Sequence, residues 1–318
     1  MTTRFLPKLL AFALALAAAG PAAAQPAEAG RLTVATYNIE NAFDVFDDPY
    51  SGDEGTAVKS RHELRAIASA VAASNADLVF FQEVENAELL AAMAAEFLPD
   101  AGYTTCLVTP TNDGRGIHLG LLSRLPVVSV TSHRWASFPG PGGGEERLHF
   151  SRDAQEVVLD LPDGSPLRVF NVHLKSNRDR EGDERSMRKR TAEALKVKRL
   201  AAERLAADPG ALYLAVGDFN SDYTVAEGQA GPWPAMAALR RAEPDGSRVL
   251  LDVHEGLPRE QRETLPGGGF YPPATFDYIL ASPAMARRLV PGSAGVIRRG
   301  DLVAGSDHLP VIATFRTD

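Results

Sequence analysis

One arrangement recurs along the chain and limits what it can fold into: a short apolar run, rich in β-branched and aromatic residues, that stops at a cluster of acids, amides or imidazole. "RLTVATYNI" leads to Asn38 and Glu40, "LVFF" to Gln82 and Glu83, "LRVFNVHL" to His173 and Lys175, and "ALYLAVGDFN" to Asp218 and Asn220. "TFDYILAS" carries Asp277, and "SDHLPVIATF" carries Ser306, Asp307 and His308. Runs of this kind read as strands, and "LGLLS" and "AQEVVLDL" add two more. Between them, Leu64, Ile67, Ala68 and Val71 fall on one helical face, as do Val197, Leu200, Ala201 and Leu205. The alternation predicts an α/β fold. A single polar tip is ordinary turn chemistry. Six tips of this composition, on strands that share a direction or a sheet edge, would converge in one cleft, where α/β folds place their chemistry.

At 318 residues the chain exceeds a typical domain, yet single domains of roughly 200–250 residues and more are common. One large domain over residues 31–318 is expected, after a leader (1–24) and a short linker (25–30). Arg4 and Lys8 precede the apolar run "LLAFALALAAA", and "PAAAQ" offers small residues for cleavage after Ala24. That run is too short to span a bilayer, and no later segment has the uncharged length for it. A secreted or periplasmic protein without integral membrane association is expected, and a monomer. Cys106 is the only cysteine, so no internal disulfide forms, and the residue reads as a small buried apolar side chain. The formal charge of −8 becomes −10 once Arg4 and Lys8 are removed with the leader. Such a balance argues against a protein that coats nucleic acid non-specifically. It leaves room for a nuclease, since a local basic patch or a bound cation supplies positive charge where it is needed.

The composition of the tips points to a reaction class. Oxygen ligands from Glu83, Glu40 and Asp307 suit Mg²⁺, Mn²⁺ or Ca²⁺. The chain has no Cys pair and no HExxH for zinc, no GxxxxGK[ST] nucleotide loop and no GxSxG elbow. What remains is metal-assisted attack of water on a phosphorus ester.

"TYNIEN", "FFQEVEN", "NVHLKS", "GDFNSD", "FDYIL" and "SDHLPV" stand in the order and approximate spacing of the endonuclease/exonuclease/phosphatase superfamily. From about residue 31 to the C-terminus the chain resembles that superfamily, which includes pancreatic-type deoxyribonuclease, apurinic endonucleases, bacterial sphingomyelinases and inositol-polyphosphate phosphatases. "NIEN" and "QEVEN" resemble its bacterial extracellular nuclease branch. The resemblance implies a four-layer α/β/β/α sandwich, two mostly antiparallel sheets packed together with helices outside, and a metal-dependent phosphoesterase site at one end. Glu83 resembles the principal metal ligand. Asn38 would hold phosphate, orient the histidine or join the metal site, Glu40 would sit in the metal's outer shell, and Asp307 would bind metal directly or through water. His173 resembles the histidine that contacts the scissile phosphate or protonates the leaving group. Asp218 and Asn220 would position the nucleophilic water, and Asp277 with His308 resembles the family's Asp/His pair.

Elementary chemistry agrees with those roles. His308 would take a proton from water if Asp277 accepts from its other nitrogen; alternatively Asp218 is the base and His308 binds phosphate. Gly217 would give the strand end room to turn, with Phe219 packed behind. Arg115, Lys175, Asn177 and Arg178 are candidates for substrate phosphate or plain loop charges. His62, His118, His133, His149 and His254 carry no motif. The leading expectation is an exported divalent-metal phosphodiesterase acting on nucleic acid. The second is a phosphatase or phospholipase-C-like enzyme, which needs an apolar membrane hairpin for which "GGGFYPP" offers Phe270 and Tyr271. The third, a catalytically dead binding module, is opposed by the intact set of Glu83, His173, Asp218, Asn220, Asp277 and His308.

Overall fold

Side chains alternate between the two faces of a strand, and the first run, β1 (Arg31–Ala42), already needs apolar cover on both. Leu32 and Val34 are buried on one face, Ala35, Tyr37 and Ile39 on the other. The computed structural model describes residues 30–53, 55–178, 181–222, 235–268, 272–298 and 304–318. The leader (1–24), the linker up to residue 29, and Phe270 and Tyr271 lie outside the described residues.

β1 pairs in parallel with β2 (Leu78–Val84) and antiparallel with β14 (Val311–Arg316). With β3 (Thr105–Thr109), β4 (His118–Ser123) and β13 (Gly295–Val296) they form a six-stranded sheet in the order β13-β14-β1-β2-β4-β3. The second six-stranded sheet has the order β11-β12-β10-β9-β8-β5, from β5 (Val127–Ser132), β8 (Ala154–Asp160), β9 (Pro166–His173), β10 (Leu212–Asp218), β11 (Leu251–Asp252) and β12 (Asp277–Ala281). Each sheet is mixed, with a single parallel pair, β1–β2 or β9–β10, among antiparallel neighbours. The Gly/Pro-rich stretch "GPGGGEE" is bracketed by a small ribbon: β6 (Phe138–Pro139) pairs with β7 (Arg147–Leu148).

Three apolar clusters separate four layers, as the family resemblance implies. Leu32, Val34, Leu78 and Phe80 of the first sheet meet Val157, Val169, Leu214, Val216 and Ile279 of the second. Outside the first sheet, Tyr37, Ile39, Val79 and Phe81 pack under α1 (Arg61–Ser74) and α2 (Ala87–Phe97). Outside the second, Phe170, Tyr213 and Ala215 pack under α3 (Met187–Ala207) and α4 (Ala235–Arg240). α1 begins at a capping box, Ser60 with Glu63, which satisfies two otherwise orphaned backbone donors. Among the described residues, no helix is long and apolar enough to cross a membrane. Cys106 departs from expectation: it is half-buried, because β3 is an edge strand whose five residues are all partly exposed.

The inter-sheet face sets the place of the site. Following every second residue, β1 runs Leu32, Val34, Thr36, Asn38; β2 runs Leu78, Phe80, Gln82; β9 runs Leu167, Val169, Asn171, His173; and β10 runs Leu212, Leu214, Val216, Asp218. All four turn from aliphatic to polar toward the same end of the sandwich. Gln82 donates to Asn171 Oδ1 at 2.7 Å, and Asn171 Nδ2 reaches Gln155, so the seam between the sheets becomes a buried polar layer before it opens.

Candidate active site

Strand register brings the tips together. Asp218 lies opposite His173 on β9 and opposite Asp277 on β12, so three titratable groups stand side by side on adjacent strands. The sequence reading placed each polar group at or beyond a strand's end. Asp277 instead opens β12, and Ser306 to His308 precede β14. The reason is topological: antiparallel strands begin at the edge where their neighbours finish. Gly217 also acts differently from expectation. It lies within β10 at φ 128°, and a Cβ there would come within 2.0 Å of the Val172 carbonyl oxygen, so glycine is what lets β10 close on β9. Phe219 is fully buried against Tyr278, as expected, with ring centroids 5.7 Å apart and nearly perpendicular.

Glu83 reaches the cleft against the simple alternation. Phe81 and Val84 both face the α1/α2 layer, and the pairing register of β2 slips between Gln82 and Val84. Glu83 sits in that slip at φ 65°, and the bulge turns its carboxylate toward the cleft. A second irregularity, between Asn38 and Ala42 of β1, holds Glu40 and Asn41 at φ 50° and 47°. The Asn41 N–H donates to Glu83 Oε2 at 2.9 Å. Asn220, at φ 48°, turns back so that its own N–H donates to Asp218 Oδ1 at 2.7 Å.

The side chains form one network. Asn38 Nδ2 donates to Asp218 Oδ2 at 3.0 Å and to Glu83 Oε1 at 3.4 Å. Its position is beneath the cleft floor, with both carboxylates already holding its amide, and it does not line the opening. His173 Nε2 stands 3.5 Å from Asp218 Oδ2 and 3.8 Å from Glu83 Oε1. His308 Nδ1 hydrogen bonds Asp277 Oδ2 at 2.7 Å, which aims Nε2 at Asp218, 4.0 Å away, and at Asp307, 3.8 Å away. Ser306 Oγ fixes this segment by donating to the Asn38 carbonyl and accepting from the His308 N–H. The Asp307 N–H donates to Glu40 Oε2 at 3.1 Å.

The two histidines are pushed in opposite directions. Burial drives His173 well below the usual imidazole range, and Arg152 and His308 add to it, so it is neutral. Burial works against charge on His308 too, but Asp277 first, then Asp218 and Asp307, outweigh it and hold the imidazole up at about 10. Burial lifts the Asp218 carboxyl to about 7; His308 opposes the rise and Asp277 adds to it. Burial and then Asp307 raise Glu40.

The cleft has a volume of about 970 Å³. Glu83, Glu40, His173, Asp218, Asn220, Asp307 and His308 line it, as do Arg115, Lys175, Asn177 and Arg178. Asp277, like Asn38, supports the lining from behind. Arg115 is no loose loop charge: Asp113 receives its Nε at 3.0 Å and Asn41 receives its Nη1 at 3.1 Å. The sequence reading missed Asp113 and Arg152. Arg152, almost fully buried, lies 2.9 Å from Asp113 and donates to the Leu174 carbonyl. Each precedes a strand, β4 or β8, so the signal that finds them is a polar cluster before an apolar run. The unassigned histidines fall outside the cleft; His133 pairs with Glu156 at 2.9 Å and His254 hydrogen bonds the Ile312 carbonyl.

The donor set fits a divalent cation. Glu83, Glu40 and Asp307 offer hard oxygen ligands at the opening. Asp218, Asp277 and His308 also bring one ligand atom each within 4.8 Å of one another, but His308 Nδ1 is already bound to Asp277. A family model described as the Endonuclease/Exonuclease/phosphatase family matches residues 35–308. Among solved structures, truncated Caenorhabditis elegans TDP2 superposes with a TM-score of 0.59 at 19% identity, covering 90% of this chain and 97% of that one. The human Nocturnin catalytic domain with bound sulfate gives 0.58 at 18%, covering 90% and 94%. D. rerio TDP2 complexed with single strand DNA product gives 0.55 at 16%, covering 90% and 99%. No curated protein matches the sequence.

Proposed function

The chain belongs to the endonuclease/exonuclease/phosphatase family of metal-dependent phosphoesterases, and we propose that it is an exported phosphodiesterase of the bacterial extracellular nuclease branch, hydrolysing DNA or RNA with Mg²⁺, or with Mn²⁺ or Ca²⁺ in its place. One observation carries this reading: His308, clamped to Asp277 at 2.7 Å, faces buried Asp218 across the same opening that holds Glu83. An acid–base pair and oxygen ligands thus meet at one point. Glu83, with Glu40 and Asp307, would hold the cation. When bound, it offsets the charge that grows on the phosphate oxygens.

The remaining roles belong to the chain's own side chains. Asp218 is assigned as the base: its carboxyl sits near neutrality, and Asn38 and Asn220 fix its orientation. It takes a proton from the attacking water. His308, kept charged by Asp277, donates from Nε2 to a phosphate oxygen, which leaves the base role to Asp218. His173, which burial holds well below the usual imidazole range, would face the scissile phosphate and its leaving oxygen as an N–H donor. Arg115, Lys175 and Asn177 at the rim would receive flanking phosphates. The nucleic-acid choice is supported by this cationic rim and by the DNA product held in the D. rerio relative of like fold.

The test is a panel of supercoiled DNA, single-stranded RNA, sphingomyelin and inositol phosphates, with Mg²⁺ and with excess EDTA. Nucleic-acid cleavage that EDTA abolishes is expected. Asp218→Ala and His308→Ala should each lower turnover by about 10²–10⁴ with circular dichroism unchanged. Near-normal rates in both variants would sink the assignment, and activity on lipid or inositol esters alone would overturn the substrate. Export predicts a mature chain beginning at Gln25, read by intact mass.

A further inference from the structure

Beside the cleft, with Asp113 as a shared wall, lies a shallower groove of about 590 Å³ to which the roles above give no work. Trp135, Arg134, Arg147, His149 and Lys189 line it. Trp135 is 68% exposed, although its backbone is well fixed. The Ala136 N–H closes a turn onto the His133 carbonyl at 2.8 Å, and His149 Nδ1 donates to the Trp135 carbonyl at 3.0 Å. Asn112 Nδ2 ties the carbonyls of Arg134 and Phe150 to the loop that carries Asp113 and Arg115. The Arg134 guanidinium lies over the indole, 5.5 Å from its centroid, and the His149 ring meets it edge-on at 6.3 Å.

The charge of the groove runs against that of the chain. Asp113, the acid in its wall, is paired with Arg115 at 3.0 Å and Arg152 at 2.9 Å. Lys189 stands 3.8 Å from Glu193 Oε1, so it is Arg134 and Arg147 that leave the groove positive on a chain of net charge −8. A fixed, exposed aromatic face among cations, continuous with a phosphoester cleft, matches how unpaired strands are held: bases stack on the ring and phosphates meet Arg and Lys. Duplex bases keep their faces inside the stack and cannot use it.

We infer that this groove takes an unpaired base and its adjoining phosphate, so that the substrate of the neighbouring cleft is single-stranded nucleic acid. The inference rests on the reading of the cleft as a phosphodiesterase site and deepens it by naming the strand.

The chain has two tryptophans, so a Trp233→Phe background leaves Trp135 as the only indole. In EDTA, a single-stranded oligothymidylate should quench its fluorescence saturably, less so as salt rises, and a duplex of equal length should quench it weakly. By anisotropy of a labelled strand, Trp135→Ala should lose about 5- to 100-fold in affinity, while Trp135→Phe keeps most of it. Hydrolysis of bis(p-nitrophenyl) phosphate with Mg²⁺ should be equal in all variants, which also reports that they fold. Equal strand affinity in Trp135→Ala and the parent, or quenching by sphingomyelin–phosphatidylcholine vesicles in place of the oligonucleotide, would overturn the inference while small-diester hydrolysis, and the function, stand. Absence of small-diester hydrolysis in the parent would count against the function itself, whatever the strand binding shows.

Discussion

Glu83 shows how much of the site depends on backbone that its residue types do not favour. Glu40, Asn41, Glu83 and Asn220 all have positive φ, and among the described non-glycine residues only Asn75 and Ser186 share it. A side chain in the left-handed region costs roughly 1–2 kcal/mol, and such strain collects at functional sites. Glu83→Gly and Glu83→Ala separate strain from chemistry. Both lose the carboxylate and its hydrogen bonds with Asn38 and Asn41, so both should lose metal-dependent activity. The glycine variant, free at φ 65°, should be about 1 kcal/mol more stable than the alanine variant by urea unfolding. Equal stability would show that the bulge carries no strain. The residue types of the site were legible in the sequence because six polar tips of one composition recur beside its apolar runs. Their aim was not: strict alternation sends Glu83 toward the helices, and only a two-strand register slip sends it to the cleft.

Between strands and helices, a dense crosslink outside the cleft centres on Glu156 of β8, a residue only 2% exposed. His133 Nε2 reaches it at 2.9 Å, Arg168 of β9 at 3.0 Å and Arg204 of α3 at 3.1 Å, so one acid ties two strands and a helix. Burial alone would raise this carboxyl, but His133 and Arg204 reverse the effect and hold it down at about 2. A depressed folded-state pKa gives stability that is present above the unfolded value of about 4.5 and disappears as pH falls toward 2. Glu156→Gln should therefore cost about 1–3 kcal/mol near pH 7, with the gap to the parent closing between pH 4.5 and 2. A pH-independent gap in chemical denaturation would mean that packing, not charge, matters there. Elements of this kind were partly legible. The apolar runs of β1, β2, β9 and β10 declare themselves, since they are buried on both faces, whereas β6, β7 and β11 are two residues long, too short to show a period, and β11 pairs with a strand far away in the chain. The antiparallel entries of β12 and β14 were invisible for the same reason: direction is set by sheet partners, not by local periodicity.

Across the whole molecule, the cleft is where the two sheets fail to finish their shared core. Glu40, Glu83 and Asp307 come from the first sheet and its approaches, Asp218 and Asp277 from the second. Between them run the Asn38–Asp218 and Gln82–Asn171 hydrogen bonds, and His308, which precedes a strand of one sheet, is bound to Asp277 of the other. Five acids, Glu40, Glu83, Asp218, Asp277 and Asp307, gather at this end of the seam around His308. A divalent cation that binds only the folded arrangement must then stabilise the sandwich as a unit. At about 100 times its dissociation constant that linkage amounts to about 2.7 kcal/mol, or a rise in Tm of about 4–5 °C for a domain of this size. Calorimetry with increasing Mg²⁺, and again with EDTA, should show that rise and its reversal. Glu83→Gln should abolish most of it, whereas Trp135→Ala, outside the carboxylate cluster, should retain it in full. A Tm indifferent to Mg²⁺, Mn²⁺ and Ca²⁺ alike would mean that the clustered acids are neutralised by protons and by His308 alone, and it would remove the cation from this end of the fold.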